Sequence, residues 1–88
     1  MSVSNKTQNK KSQADLDLDL DGYDYYKTIE EFSEFIRLNP YIAEAYFFRG
    51  ESYYQLEQTE QAIHDFEKVL NLKPDSEFAK EKLQELRG

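Results

Sequence analysis

The stretch AEAYFFRGESYYQLEQTEQAIHDFEKVLNLKPDS, residues 43–76, decides how the rest of this 88-residue chain is read. Its first part, from about Ile42 to Leu56, has a broad aromatic face that includes Tyr46, Phe47, Phe48, Tyr53 and Tyr54. Its second part, from about Glu60 to Leu72, places Ala62, Ile63, Phe66, Val69 and Leu70 at spacings of three and four, the stripe of an amphipathic helix. Lys73-Pro74 stops that helix, because a residue before proline is pushed out of the helical region. Two helices joined by a short connection lie antiparallel, so this segment predicts a helix hairpin.

Working outward, the same grammar recurs. On the N-terminal side Tyr25, Ile29, Phe32 and Ile36 form a helical stripe, flanked by Tyr26, Phe35 and Leu38, and Asn39-Pro40 ends it. On the C-terminal side Asp75 and Ser76 both suit an N-cap for a last helix, Glu77 to Arg87. That helix carries Phe78, Ala79, Leu83 and Leu86 on one side. Sliding the chain against itself by 34 residues lays Ile29 on Ile63, Phe32 on Phe66, Ile36 on Leu70, Leu38 on Leu72 and Pro40 on Pro74. Each match keeps apolar character or a helix stop at the same phase, which points to stacked hairpins.

The spacing Tyr46-x-x-Arg49-Gly50-x-x-Tyr53, then Ala62-x-x-x-Phe66, then Pro74 resembles the tetratricopeptide repeat, whose pattern is W-x-x-L-G-x-x-Y, A-x-x-x-F and P. Gly50 and Ala62 are small where the two helices approach closely. Tyr46 and Tyr53 share one face and Phe66 fills the facing gap. Two positions depart from the pattern: Tyr46 stands for Trp, and Arg49 for an apolar Leu. Arg49 is expected to snorkel past its apolar stem or to pair with a carboxylate. The resemblance covers about Tyr23 to Arg87: the second half of one repeat (with Thr28 where Ala is usual), a complete repeat over 43–76, and a closing helix. The expected fold is all-α, about four helices in antiparallel hairpins, one and a half repeats plus a cap. Residues 23–88 form the domain, preceded by a tail at 1–22.

Composition narrows the function. There is no cysteine, which excludes disulfides and thiolate metal sites, and a single histidine argues against a His-rich centre. No apolar run approaches the roughly 18–20 residues that span a bilayer, and the polar start has no signal-peptide core. A soluble cytoplasmic protein is expected. Net charge is −7, yet residues 1–14 carry Lys6, Lys10 and Lys11 and no acid, leaving −10 from Asp15 onward. An acidic body repels nucleic acid and anionic membranes and attracts basic partners.

Residues 1–13 are polar with little to bury, and are expected to be disordered. Asp15 to Asp21 alternates Asp and Leu, a strand-like period in poor strand formers, read here as an extended acidic linker. Asp17, Asp19 and Asp21 with Gly22 match the opening of a calcium-binding EF-hand loop, but Thr28 stands where that loop needs a bidentate Glu. They are a weak metal candidate. Leu16, Leu18 and Leu20 offer a short docking motif or a fold-back onto the first helix. His64, Ser33, Ser52 and Ser76 lack a nucleophilic context. Glu30, Glu31 and Glu34 read as a solvated helix face, and glycines at 22, 50 and 88 make no phosphate loop. No enzyme activity and no cofactor are expected.

The resemblance also implies a binding surface. In this family the first helix of each hairpin lines a concave groove that takes extended peptides. Here that helix presents Glu44, Phe47, Phe48, Glu51, Tyr54 and Gln55, and the closing helix adds Phe78 and Lys82. Aromatic area with carboxylates suits a protein or peptide of apolar and basic character. The chaperone-binding members clamp a C-terminal carboxylate with Lys, Asn and Arg, and Glu44, Phe47, Phe48 and Glu51 at those places would repel one. The primary expectation is therefore a scaffold or adaptor. The alternative is a homodimer formed through the first helix, which lacks its hairpin mate.

Overall fold

The computed structural model describes residues 23–88, which form four α-helices: α1 (Tyr25–Leu38), α2 (Ala43–Gln55), α3 (Thr59–Leu72) and α4 (Glu77–Arg87). Each helix packs on the next in chain order, α1 on α2, α2 on α3 and α3 on α4. The expectations of a tail at 1–22 and of an Asp-Leu linker lie outside the described residues.

The 34-residue register is carried into the backbone. Shifted by 34, the bounds of α1 become those of α3, and the first residue of α2 becomes the first of α4. The helix stops repeat as well: Asn39 sits at φ −137°, ψ 75° and Lys73 at φ −136°, ψ 85°, each before a proline. Helix starts are less uniform. Asp24 caps α1 by accepting from Lys27 N at 3.0 Å, and Ser76 rather than Asp75 caps α4, accepting from Ala79 N at 3.3 Å. The α2 and α3 starts, at Ile42 and Gln58, have no side-chain cap. Ile42 and Leu56 flank α2 rather than belonging to it, and Thr59 adds one residue to α3.

Among the described residues four of the eight buried apolar side chains are alanines (Ala43, Ala45, Ala62, Ala79), which lets the helices lie close around Tyr46, Phe66, Val69 and Leu83. Ala62, Phe66 and Ala79 are wholly enclosed. A Cβ added to Gly50 would lie 3.0 Å from Phe66 Cε1 and 3.1 Å from Asp65 Cβ. Gly50 of α2 thus lies close against Phe66 and Asp65 of α3, and Ala62 is buried with Phe66 in the same cluster. Tyr46 donates its hydroxyl proton to Pro40 O at 2.8 Å, tying the α1–α2 turn to the helix that follows.

Arg49 pairs rather than snorkels. Its Nε and Nη2 donate to the two carboxylate oxygens of Asp65, each at 2.8 Å, and Nη1 donates to Ser33 Oγ at 3.0 Å. Asp65 is 1 % exposed, so a nearly dry carboxylate is neutralised by a forked cation. That hydrogen bonding raises the Arg49 pKa above its already high value and keeps it charged. Tyr46 and Tyr53 flank the guanidinium at 5.9 and 5.8 Å from their ring centres.

Candidate functional site

Spacings of three, four and three turn Glu44, Phe47, Glu51 and Tyr54 to one face of α2. Across from them α4 presents Phe78, Lys82 and Glu85. The two rows touch: Phe47 and Phe78 lie 6.2 Å apart in edge contact, and Lys82 sits 3.7 Å from the Glu51 carboxylate. The Lys82 ammonium is also 4.2 Å from the centre of the Tyr54 ring, whose hydroxyl bonds Glu85 at 3.2 Å. Near the start of both helices lies a cleft of about 200 Å³ lined by Glu44, Phe47, Val69, Lys73 and Phe78.

Most of the residues expected to line a groove are therefore brought together. Phe78 is 72 % exposed and forms the open lip, whereas Phe47 is half-buried and also packs on Phe66 at 5.7 Å. Phe48 turns toward α1, stacking on Phe32 at 5.8 Å while meeting Phe47 at 5.7 Å. A row of phenylalanines, 32, 48, 47 and 78, consequently runs from α1 across α2 to α4. Gln55 lies exposed at the last residue of α2.

Lys73 was not among the expected residues. Its signal was its place before Pro74, where the chain leaves α3 and crosses back toward the start of α2. There Lys73 Nζ donates to Glu44 at 2.7 Å. Through that hydrogen bond Lys73 holds the Glu44 carboxyl below the ordinary carboxylate range, and Glu44 in turn raises the Lys73 pKa. Glu44 and Glu51 thus each sit beside a lysine, on either side of Phe47 along α2.

Among the described residues, no cluster of three or more His, Cys, Asp or Glu is placed to hold a metal. Asp17, Asp19 and Asp21, the weak calcium candidate, lie outside them. His64 is exposed on α3. Within the same residues no helix is long and apolar enough to cross a membrane.

A hairpin with glycine against phenylalanine, repeated at 34 residues and stopped by proline, agrees with comparison by sequence: the tetratricopeptide repeat family matches residues 43–76. Residues 43–76 are a tetratricopeptide repeat. It is 38 % identical over 64 residues to aryl-hydrocarbon-interacting protein-like 1 of Mus musculus, and equally to that of Rattus norvegicus. Those matches take in 73 % of this chain and 19 % of each relative, so the chain spans about a fifth of their length. Tetratricopeptide repeats are protein–protein interaction modules, and residues 43–76 place this chain with that class.

Proposed function

We propose that the α2–α4 groove binds a segment of a partner protein, seating an apolar side chain against Phe47 and Phe78 and a basic one near Glu44 or Glu51. The observation that carries this reading is the Phe47–Phe78 contact, which leaves Phe78 largely in water at the mouth of a cleft. An exposed aromatic beside a concave apolar surface is the usual anchor of an interface. Charge supports the basic part of the assignment. Residues 23–88 hold 14 acids against 8 bases, so even with Lys73 and Lys82 in the groove the field around it is negative. The two lysines lower the gain from any single ion pair, which makes apolar contact the main source of affinity and charge the selector. A peptide ending in a carboxylate at this site meets Glu44 and Glu51 and is disfavoured.

The test is selection from a displayed peptide library against the intact chain, followed by binding measurements on Phe78→Ala and Glu51→Lys variants. Selected peptides rich in aromatic, aliphatic and basic residues, weakened about tenfold or more by Phe78→Ala, are expected; that is about 1.4 kcal/mol. Peptides that bind both variants as well as the parent chain would remove the proposal.

A further inference from the structure

The 34-residue register allows α1 to be compared with α3 residue by residue. Phe66 is 0 % and Val69 3 % exposed, whereas their counterparts differ: Phe32 is only half-buried and Phe35 is 43 % exposed. Asp65 is buried and its counterpart Glu31 is exposed. The cause is cover. Helix α3 lies between α2 and α4, while α1 packs chiefly on α2 and buries no residue fully.

What α2 supplies to α3 is specific: Arg49 neutralises Asp65, and Gly50 lets backbone come against the Phe66 ring. On α1 the corresponding partners are absent among the described residues. Glu31 makes no ion pair among the described residues, and Phe32 and Phe35 have an open side.

We infer that this face of α1 docks an amphipathic helix of a partner protein in which a basic residue is followed directly by a glycine or another small residue. The basic residue meets Glu31, as Arg49 meets Asp65. The small one lies over Phe32, as Gly50 lies over Phe66. In the same register the chain's own upstream sequence would set Asp15 against Glu31 and Leu16 against Phe32, a poor match for that face. That is a like charge, and a side chain where even a Cβ at the equivalent Gly50 would come to 3.0 Å of a ring. The α2 of a second copy has the right residues, but they are engaged with its own α3. This surface is independent of the α2–α4 groove and stands whatever the groove binds.

The probe is a labelled synthetic peptide of residues 43–56, AEAYFFRGESYYQL, titrated into the full chain, with an Arg49→Glu version of the peptide as its pair. The parent chain is expected to prefer the arginine peptide by about tenfold or more, a ratio set by the Glu31 charge. A Glu31→Arg chain is expected to invert that preference, and Phe35→Asp to abolish binding of both. Because Glu31 and Phe35 are exposed, neither change should unfold the protein. Amide shifts should centre on Phe32 and Phe35. The inference fails if the two peptides bind equally, or if neither binds at millimolar concentration. Shifts centred on Asp65, meaning exchange with the resident α2, would overturn it, as would shifts on Phe78 and Lys82 in the groove. So would a sedimenting dimer that is lost with Phe35→Asp and excludes the peptide, since a second copy would then hold the face.

Discussion

Arg49 and Asp65 face each other across the α2–α3 hairpin as a two-pronged pair, both contacts at 2.8 Å, with Ser33 of α1 closing the third side of the guanidinium. One side chain thereby links three consecutive helices. Thirty-four residues on, the equivalent of Arg49 is Leu83, which is 4 % exposed in the α4 packing. The position thus takes leucine where the contact is apolar and arginine where it faces a buried acid.

Replacing Arg49 alone by Leu would strand the Asp65 carboxylate in the core. A loss of about 3–5 kcal/mol is expected, enough to unfold a domain of this size in large part. Replacing both residues, Arg49→Leu with Asp65→Leu, should restore most of that stability, because an apolar pair needs no neutralisation. Urea unfolding of the two single variants and the double variant gives the coupling directly, and additive losses would refute it.

Gly50→Ala is expected to destabilise by about 1–2 kcal/mol. Alanine gains about 1 kcal/mol in helix propensity, but its methyl would press on a Phe66 ring that is wholly enclosed and cannot step aside. A midpoint of thermal unfolding that rises would contradict the close contact between α2 and α3.

Between those helices Glu57 holds φ at 60°, in the left-handed region that suits glycine. The turn is kept by Gln58 N donating to Tyr53 O at 2.9 Å. Glu57→Gly should stabilise the domain by about 0.5–1 kcal/mol, since relief of the left-handed cost exceeds the entropy that glycine adds. Chemical denaturation with an unchanged m-value is the measurement, and a lower midpoint would count against it.

The Glu44–Lys73 pair gives a pH signature. The Glu44 carboxyl is depressed in the folded chain by its hydrogen bond to Lys73, so its contribution is present above the unfolded pKa and lost as pH falls through the folded one. Carbon-detected titration should place Glu44 below an ordinary glutamate, and Lys73→Met should return it toward the usual value. Because both groups are exposed, high salt should narrow the difference. A Glu44 titration that ignores Lys73→Met would show that the pair does not form in solution.

Much of this architecture was legible beforehand. Prolines 40 and 74 and the three-and-four spacing of apolar residues located the helices to within a residue or so, because local backbone sterics and amphipathic burial act over short range. The 34-residue repeat made the hairpin and the cap readable, and the resemblance to the tetratricopeptide repeat implied a surface with Phe47, Glu51, Tyr54, Phe78 and Lys82, which the fold does bring together. Three things were not readable. Arg49 had several acids within reach along the chain, and only the packing of α3 on α2 chose Asp65. Lys73 became part of the groove because the chain turns over the start of α2 at Pro74. Phe48 sits beside Phe47 in sequence yet faces α1, since adjacent helical residues point about 100° apart and the neighbouring helices decide which is covered.

The sequence by itself determined where the helices lie, that they form hairpins, and which side of each is apolar, all consequences of periodicity and of residues that permit or forbid helical backbone. The tertiary structure alone decided which charges meet and which aromatic faces stay open. Pairing and exposure depend on distances between segments far apart in the chain, and those distances are set only when the helices have packed.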